Sequence, residues 1–149
     1  MSIVDEINSA TRALALNDQL WQLSPQDAER AISAAEKKFV TTPGVRWWWD
    51  ALNSELPLST HIDSDGGQEI LTIICPDQEV WLFASDDEFP PWPVFVGRPA
   101  DLAKVIGECH YFEYLVVSPS LDWAVIENHH NTFFAIGEPV ASKLKTYVG

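Results

Sequence analysis

Four short stretches of the chain carry residue types that can do chemistry. In Glu127-Asn128-His129-His130 a carboxylate stands two positions from an imidazole. If strand geometry runs through the stretch, Glu127 and His129 project to one face, where such a pair serves as a general base or as two metal ligands. A metal site needs three or four ligands, and the other histidines, His61 and His110, lie far away in sequence with no ligand-type spacing around them. Neighbouring histidines at a hairpin also serve as turn residues or hydrogen-bonded structural groups, and this second reading is the expected one. In Cys109-His110 a thiol adjoins a base, but adjacent strand residues face opposite ways, so the pair makes no dyad and Cys109 reads as a core cysteine. Trp47-Trp48-Trp49 could form a stacking platform for a sugar or a base, although in a short helix at least one of the three must face the core.

The fourth stretch is Asp86-Asp87-Glu88-Phe89-Pro90-Pro91-Trp92-Pro93, three acids beside two large aromatics in a loop stiffened by three prolines. Proline lowers the cost of ordering a loop, and an aromatic anchor ringed by charge suits protein recognition. The opposed reading folds Phe89 or Trp92 back onto the chain's own core. The loop lies in a segment of one charge sign. Between Trp47 and Gly97 stand Asp50, Glu55, Asp63, Asp65, Glu69, Asp77, Glu79, Asp86, Asp87 and Glu88, with no Lys or Arg among them. Such a surface either steers a cationic partner or keeps the protein in solution. A net charge of -13 argues against nucleic acid and anionic membranes as partners and leaves a basic protein as the natural counterpart.

The elements that must position these residues follow from periodicity. Ile3, Ile7, Ala10, Thr11 and Leu14 recur at helical spacing and predict a first helix ending near Asn17. Ser24 and Pro25 open a second, whose buried stripe is Ala28, Ala31, Ile32, Ala35 and Phe39. A third, shorter helix is expected from Thr42 and Pro43 through Trp47 to Leu52. After Pro57 the texture turns to β-branched and aromatic runs, which predict strands at Leu58 to Ile62, Glu69 to Cys75, Glu79 to Ala84 and Val94 to Val96. Turns are expected at Ser64 to Gly67 and Pro76 to Gln78. A short inserted helix covers Pro99 to Ile106, and a meander follows at Tyr111 to Val117, Trp123 to Glu127 and Thr132 to Ile136. Gly137 ends it and a C-terminal helix runs from Pro139 to Tyr147. The expected fold class is α+β, with N-terminal helices followed by an antiparallel sheet, as one acidic domain over residues 1–149.

At 149 residues with 46% hydrophobic composition, the chain can bury a core without a metal or disulfides. Cys75 and Cys109 are too few for a disulfide framework, which points to a reducing compartment. The first residues lack a secretory pattern and no apolar run reaches the roughly 18 residues that span a bilayer, so a cytoplasmic protein is expected. There is no Gly-rich phosphate loop, Gly-x-Ser-x-Gly elbow, Cys-x-x-Cys or His-Glu-x-x-His. No catalytic residue, cofactor or metal is therefore assigned.

The run Tyr111-Phe112-Glu113-Tyr114-Leu115-Val116-Val117, then Leu121-Asp122-Trp123 and Glu127-Asn128-His129-His130, resembles an uncharacterised family of small bacterial proteins. In size, acidity and helix-then-sheet order the chain is also similar to immunity proteins of bacterial toxin systems such as the Smi1/Knr4-like superfamily. That resemblance implies a non-catalytic protein-binding function, neutralisation of a basic toxin domain by a monomer or weak dimer. The partner-binding residues expected are Asp86, Asp87, Glu88, Phe89 and Trp92. The alternative is a small hydrolase-like enzyme using Glu127 with His129 or His130.

Overall fold

A computed structural model describes residues 2–62, 67–86 and 88–147. The first helix, α1 (Ile3–Ala13), opens on a capping box in which the Ser2 hydroxyl accepts from the Asp5 amide and the Asp5 carboxylate accepts from the Ser2 amide. It stops short of Asn17 because Ala15 takes a left-handed backbone, φ 56°. A two-residue strand that the periodicity does not announce, β1 (Trp21–Gln22), follows. Helix α2 (Pro25–Phe39) begins where Ser24 caps the Asp27 amide and Pro25 fills the first helical position. Its buried residues are the five of the expected stripe. The expected helix through Thr42 to Leu52 contracts to a single 3₁₀ turn at Trp48–Asp50. Gly44, at φ 79°, turns the chain before it, and a turn of that hand cannot continue a right-handed helix.

Strand β2 (Leu58–Ile62) forms as expected, and the turn expected at Ser64 to Gly67 falls, apart from Gly67, outside the described residues. The segment Glu69 to Cys75, expected as a strand, is instead helix α3 (Ile70–Ile74). A short apolar run fits a buried helix turn as well as a buried strand. Here Ile70, Leu71 and Ile74 are buried while Ile73 faces out, a helical rather than an alternating pattern. Then come β3 (Val80–Phe83), β4 (Val94–Gly97) and α4 (Pro99–Glu108). Strands β5 (Tyr114–Val117), β6 (Trp123–Glu127) and β7 (Thr132–Gly137) form the meander, and α5 (Val140–Tyr147) closes the chain. Among the described residues no helix is long and apolar enough to cross a membrane.

Among the described residues seven strands join one sheet in the order β1-β4-β3-β5-β6-β7-β2, each pair antiparallel. The architecture is thus α+β with helices on both faces of the sheet. Leu82, Tyr114, Val116, Trp123, Val125 and Phe133 pack towards the α1, α3, α4 and α5 side, in a cluster with Ile7, Leu71, Leu102 and Leu144. Phe83, Leu115, Val117, Ala124 and Ile126 pack towards the α2 side with Ile32, Phe39 and Trp48. A sheet buried on both faces needs unbroken apolar strands, which explains the runs Tyr-Leu-Val-Val and Trp-Ala-Val-Ile. Alternation also decides where the carboxylates at the strand ends go. Glu127 shares the face of Trp123 and Val125, whereas Glu113, one residue ahead of Tyr114, shares that of Leu115.

Candidate functional site

The loop between β3 and β4 is fixed by its own backbone. Ser85 Oγ and the Asp86 amide both donate to the Glu113 carbonyl, at 2.9 and 2.8 Å. The Glu88 amide donates to the Ser85 carbonyl, and Trp92 Nε1 closes the loop by donating to the Glu88 carbonyl at 2.9 Å. Trp92 is only 4% exposed and lies 5.2 Å, centroid to centroid, from Trp48 and 6.2 Å from Phe83. It is a core residue, which corrects its expected role as an anchor for a partner: the indole fills the gap between the loop and the sheet. Phe89 does the opposite and stands 61% exposed. Asp86 and Glu88 beside it are exposed, and Asp87 lies outside the described residues. The Arg46 guanidinium sits 5.6 Å from the Phe89 ring and 5.2 Å from that of Trp47, joining the loop to the tryptophan segment by cation–π contact.

The three tryptophans divide their work. Trp48 is buried on the α2 side of the sheet. Trp47 and Trp49, half-buried, stack on each other at 5.7 Å, and the His129 ring lies 5.6 Å from one and 5.7 Å from the other. His130 stands 4.1 Å from His129, and Trp49 also stacks on Phe134. Beneath them is Glu113, 4% exposed, accepting from Trp49 Nε1 on one oxygen and lying 3.1 Å from His129 Nδ1 on the other. A buried carboxylate stays tolerable when hydrogen-bonded groups surround it.

Strand geometry does not continue through Asn128, so the expected pairing of Glu127 with His129 gives way. The Asn128 side-chain oxygen accepts from the His130 and Thr132 amides, both at 3.0 Å, and Asn131 takes φ 56°, which closes a side-chain-capped turn. His129 swings to the α2 side and to Glu113. Glu127, 3% exposed, stays on the α4 side and accepts from the Tyr114 hydroxyl at 2.7 Å. The histidines are thus turn residues with hydrogen-bonded positions, and the carboxylate that holds His129 is one the sequence reading passed over. Its signal was there, since Glu113 is the only charge in the run from Tyr111 to Val117.

The remaining candidates are structural. Both thiols are free: burial pushes Cys75 up to about 12, and burial with the nearby Glu6 and Glu108 charges pushes Cys109 up to about 11. Neither is a nucleophile at neutral pH. His110 binds Glu6 through both its amide and Nδ1. His61 on β2 packs edge-on against Tyr147. Among the described residues no group of three or more His, Cys, Asp or Glu is placed to hold a metal.

A family model described as a family of unknown function (DUF6756) matches residues 1–148, and the chain belongs to that family. This agrees with its resemblance to an uncharacterised family. No curated protein matches the chain in sequence.

Proposed function

We propose that this chain is a non-catalytic protein-binding protein, a bacterial cytoplasmic immunity protein that occludes a basic toxin domain through the Phe89 loop. The observation that carries the reading is a rigid loop, tied at Ser85, Asp86, Glu88 and Trp92, that holds a large aromatic outward among carboxylates. Covering the exposed part of Phe89, about 60% of a side chain of roughly 200 Å², is worth about 3 kcal/mol at ~25 cal/mol per Å². Because the loop is already ordered, little of that gain is lost to entropy on binding. Asp86, Asp87 and Glu88 supply the steering field for a cationic surface. The test is to purify the chain with the basic protein encoded beside it and map amide hydrogen exchange in the complex. Protection centred on residues 84–93 is the expected result, and protection confined to other surfaces would overturn the reading.

A second reading, a small hydrolase-like enzyme, is favoured by one observation: the buried Glu113 carboxylate orients the His129 ring, as a carboxylate orients a general base. It differs from the sequence-based alternative in using Glu113 in place of Glu127. Turnover of ester or amide substrates that disappears in both Glu113→Gln and His129→Asn would support it.

A further inference from the structure

The two edges of the sheet differ. At one end β1 is two residues long and offers almost no edge, whereas at the other β2 runs five residues in unbroken register with β7. Exposed edges are ordinarily blunted by lysine, proline, a bulge or shortness. The strand Leu-Ser-Thr-His-Ile has no lysine, proline or bulge, and no Asp, Glu or Arg either, in a chain of net charge -13. It also carries Ile62, 76% exposed, and Leu58, 41% exposed, on one face. We infer that the free edge of β2 pairs with β2 of a second copy of this chain, antiparallel and about a two-fold axis at Thr60.

Backbone direction fixes which groups are available. The Gly137 amide donates to the Pro57 carbonyl directly opposite it at 2.8 Å, so the positions bonded to β7 are Pro57, Ser59 and His61. β7 agrees from its other side: the Asn128 amide donates to the Thr132 carbonyl, so even-numbered positions of β7 bond β6 and odd-numbered ones bond β2. Leu58, Thr60 and Ile62 therefore turn their N–H and C=O groups to the open side, where no strand among the described residues meets them. An interface about a two-fold axis must be self-complementary. With the axis at Thr60, Leu58 stands opposite Ile62 of the second copy and Thr60 opposite its own counterpart, three hydrogen-bonding pairs that exchange about six bonds. The exposed apolar side chains at the two ends of the strand then cover each other, on the face shared with Phe134 and Ile136. A slip of one residue would set outward-turned positions against inward-bonded ones. This match of the strand with itself favours a second copy over a foreign strand. The edge is also held ready, because Ser59 Oγ donates to the Ala141 carbonyl at 2.6 Å and His61 packs against Tyr147, so α5 fixes β2 from the other face and little order is lost on pairing. As α5 packs on β2 and β7 together, the axis sets the two α5 helices two strand spacings apart, about 10 Å, the distance of packed helices. β2 lies four strands from β3, which leaves the Phe89 loop clear.

Such a ladder covers less area than a standard interface, so the dimer is weak and reversible. Sedimentation equilibrium from about 10 μM to about 1 mM should show a mass that rises with concentration from one chain towards two. Both copies carry the same excess of negative charge, so added salt should strengthen the association, whereas it weakens a complex of opposite charges. Ile62→Lys, at an exposed position, should weaken it at least about tenfold and leave the melting curve unchanged. Thr60→Pro removes an outward N–H, spares the bonds to β7 and should abolish the dimer; should it fail to fold, Ile62→Lys decides. Ile73→Lys, at an exposed apolar residue on α3, is the control and should change nothing. Amide hydrogen exchange locates the contact: Leu58, Thr60 and Ile62 should exchange fast in dilute solution and slowly in concentrated solution, Ser59 and His61 slowly in the second and no faster than their neighbours in the first. A single-chain mass up to about 1 mM, unchanged association in a natively folded Ile62→Lys, or concentration-dependent protection that spares Thr60 would overturn the proposal. So would a Thr60 amide that gains protection only when another protein is added, which would assign the edge to a foreign strand.

Discussion

Replacing Trp92 with alanine separates two roles that adjacent aromatics could share. The indole is 4% exposed, packs on Trp48 and Phe83, and supplies the hydrogen bond that closes the loop at Glu88. Deleting a buried Trp costs about 3–5 kcal/mol, through lost transfer free energy and the cavity left behind. The Glu88 carbonyl, in an exposed residue, can turn to water, so losing that hydrogen bond adds little. With a urea m-value of about 2 kcal/mol/M, the unfolding midpoint should fall by roughly 1.5–2.5 M. Phe89→Ala, by contrast, removes an outward ring and its contact with Arg46, and should shift the midpoint by no more than about 0.3 M, the size of an ordinary surface substitution. Equilibrium urea denaturation followed by tryptophan fluorescence and by circular dichroism checks both. Equal midpoints for Trp92→Ala and the unmutated chain, or a loss at Phe89 as large as that at Trp92, would refute the division of the loop into a buried peg and an exposed anchor.

Other outcomes follow from single groups. Gly137→Ala should destabilise by roughly 2 kcal/mol or more, read from the thermal midpoint, because φ is 83° and the new Cβ would stand 2.1 Å from the Asp122 carbonyl oxygen. Glu113→Ala should cost about 1–3 kcal/mol by leaving the Trp49 indole N–H without its acceptor, and Glu113→Gln should cost less; chemical denaturation ranks them. Cys75 and Cys109 should react slowly with thiol reagents at neutral pH and faster as pH rises towards 11, and reductant should leave the melting curve unchanged. The Glu6 carboxyl is held below its ordinary 4.5 by the His110 backbone amide and then by the His110 ring. Its contribution to stability is therefore present above pH 4.5 and lost as pH falls through the folded value, so the gap between wild type and Glu6→Gln should close on acidification.

Helices with period-3.6 stripes were legible, as at Ile3, Ile7 and Ala10 and, with its capping residue, at Ser24 with Ala28 to Phe39, whereas the Ser2 capping box was not. So were strands bounded by turn residues, and β2 and β6 fall at their expected limits. Ile70 to Ile74 was not, because four apolar residues interrupted only by Thr72 are too short a run to carry a period, and only the packing of Ile70, Leu71 and Ile74 beneath α4 and α5 distinguishes helix from strand. β1 is two residues held by Trp21 and Gln22 opposite Val96 and Phe95, a tertiary pairing with no local signal. At the site, the loop and its one buried aromatic could be read as alternatives, but which ring turned inward depended on Trp48, 44 positions earlier in the chain. The partner of His129 was misplaced for a local reason. Asn128 captures two amides of the turn, alternation breaks there, and the imidazole passes to the other face of the sheet, where Glu113 waits.

Association and dissociation rates, measured for the chain and its cationic partner at several ionic strengths, test the role of the Phe89 loop most directly. The variants are D86N/D87N/E88Q and Phe89→Ala, each used after its melting curve is shown to match wild type. Charge acts on encounter and a desolvated aromatic acts on residence. The triple variant should therefore associate more slowly, with a flatter dependence on salt and little change in dissociation. Phe89→Ala should associate at a near-normal rate and dissociate faster, by an amount corresponding to about 2 kcal/mol or more for a hot-spot anchor. A triple variant that associates as fast as wild type at every ionic strength, together with unchanged dissociation for Phe89→Ala, would contradict the account and leave the acidic loop as a solubility feature alone.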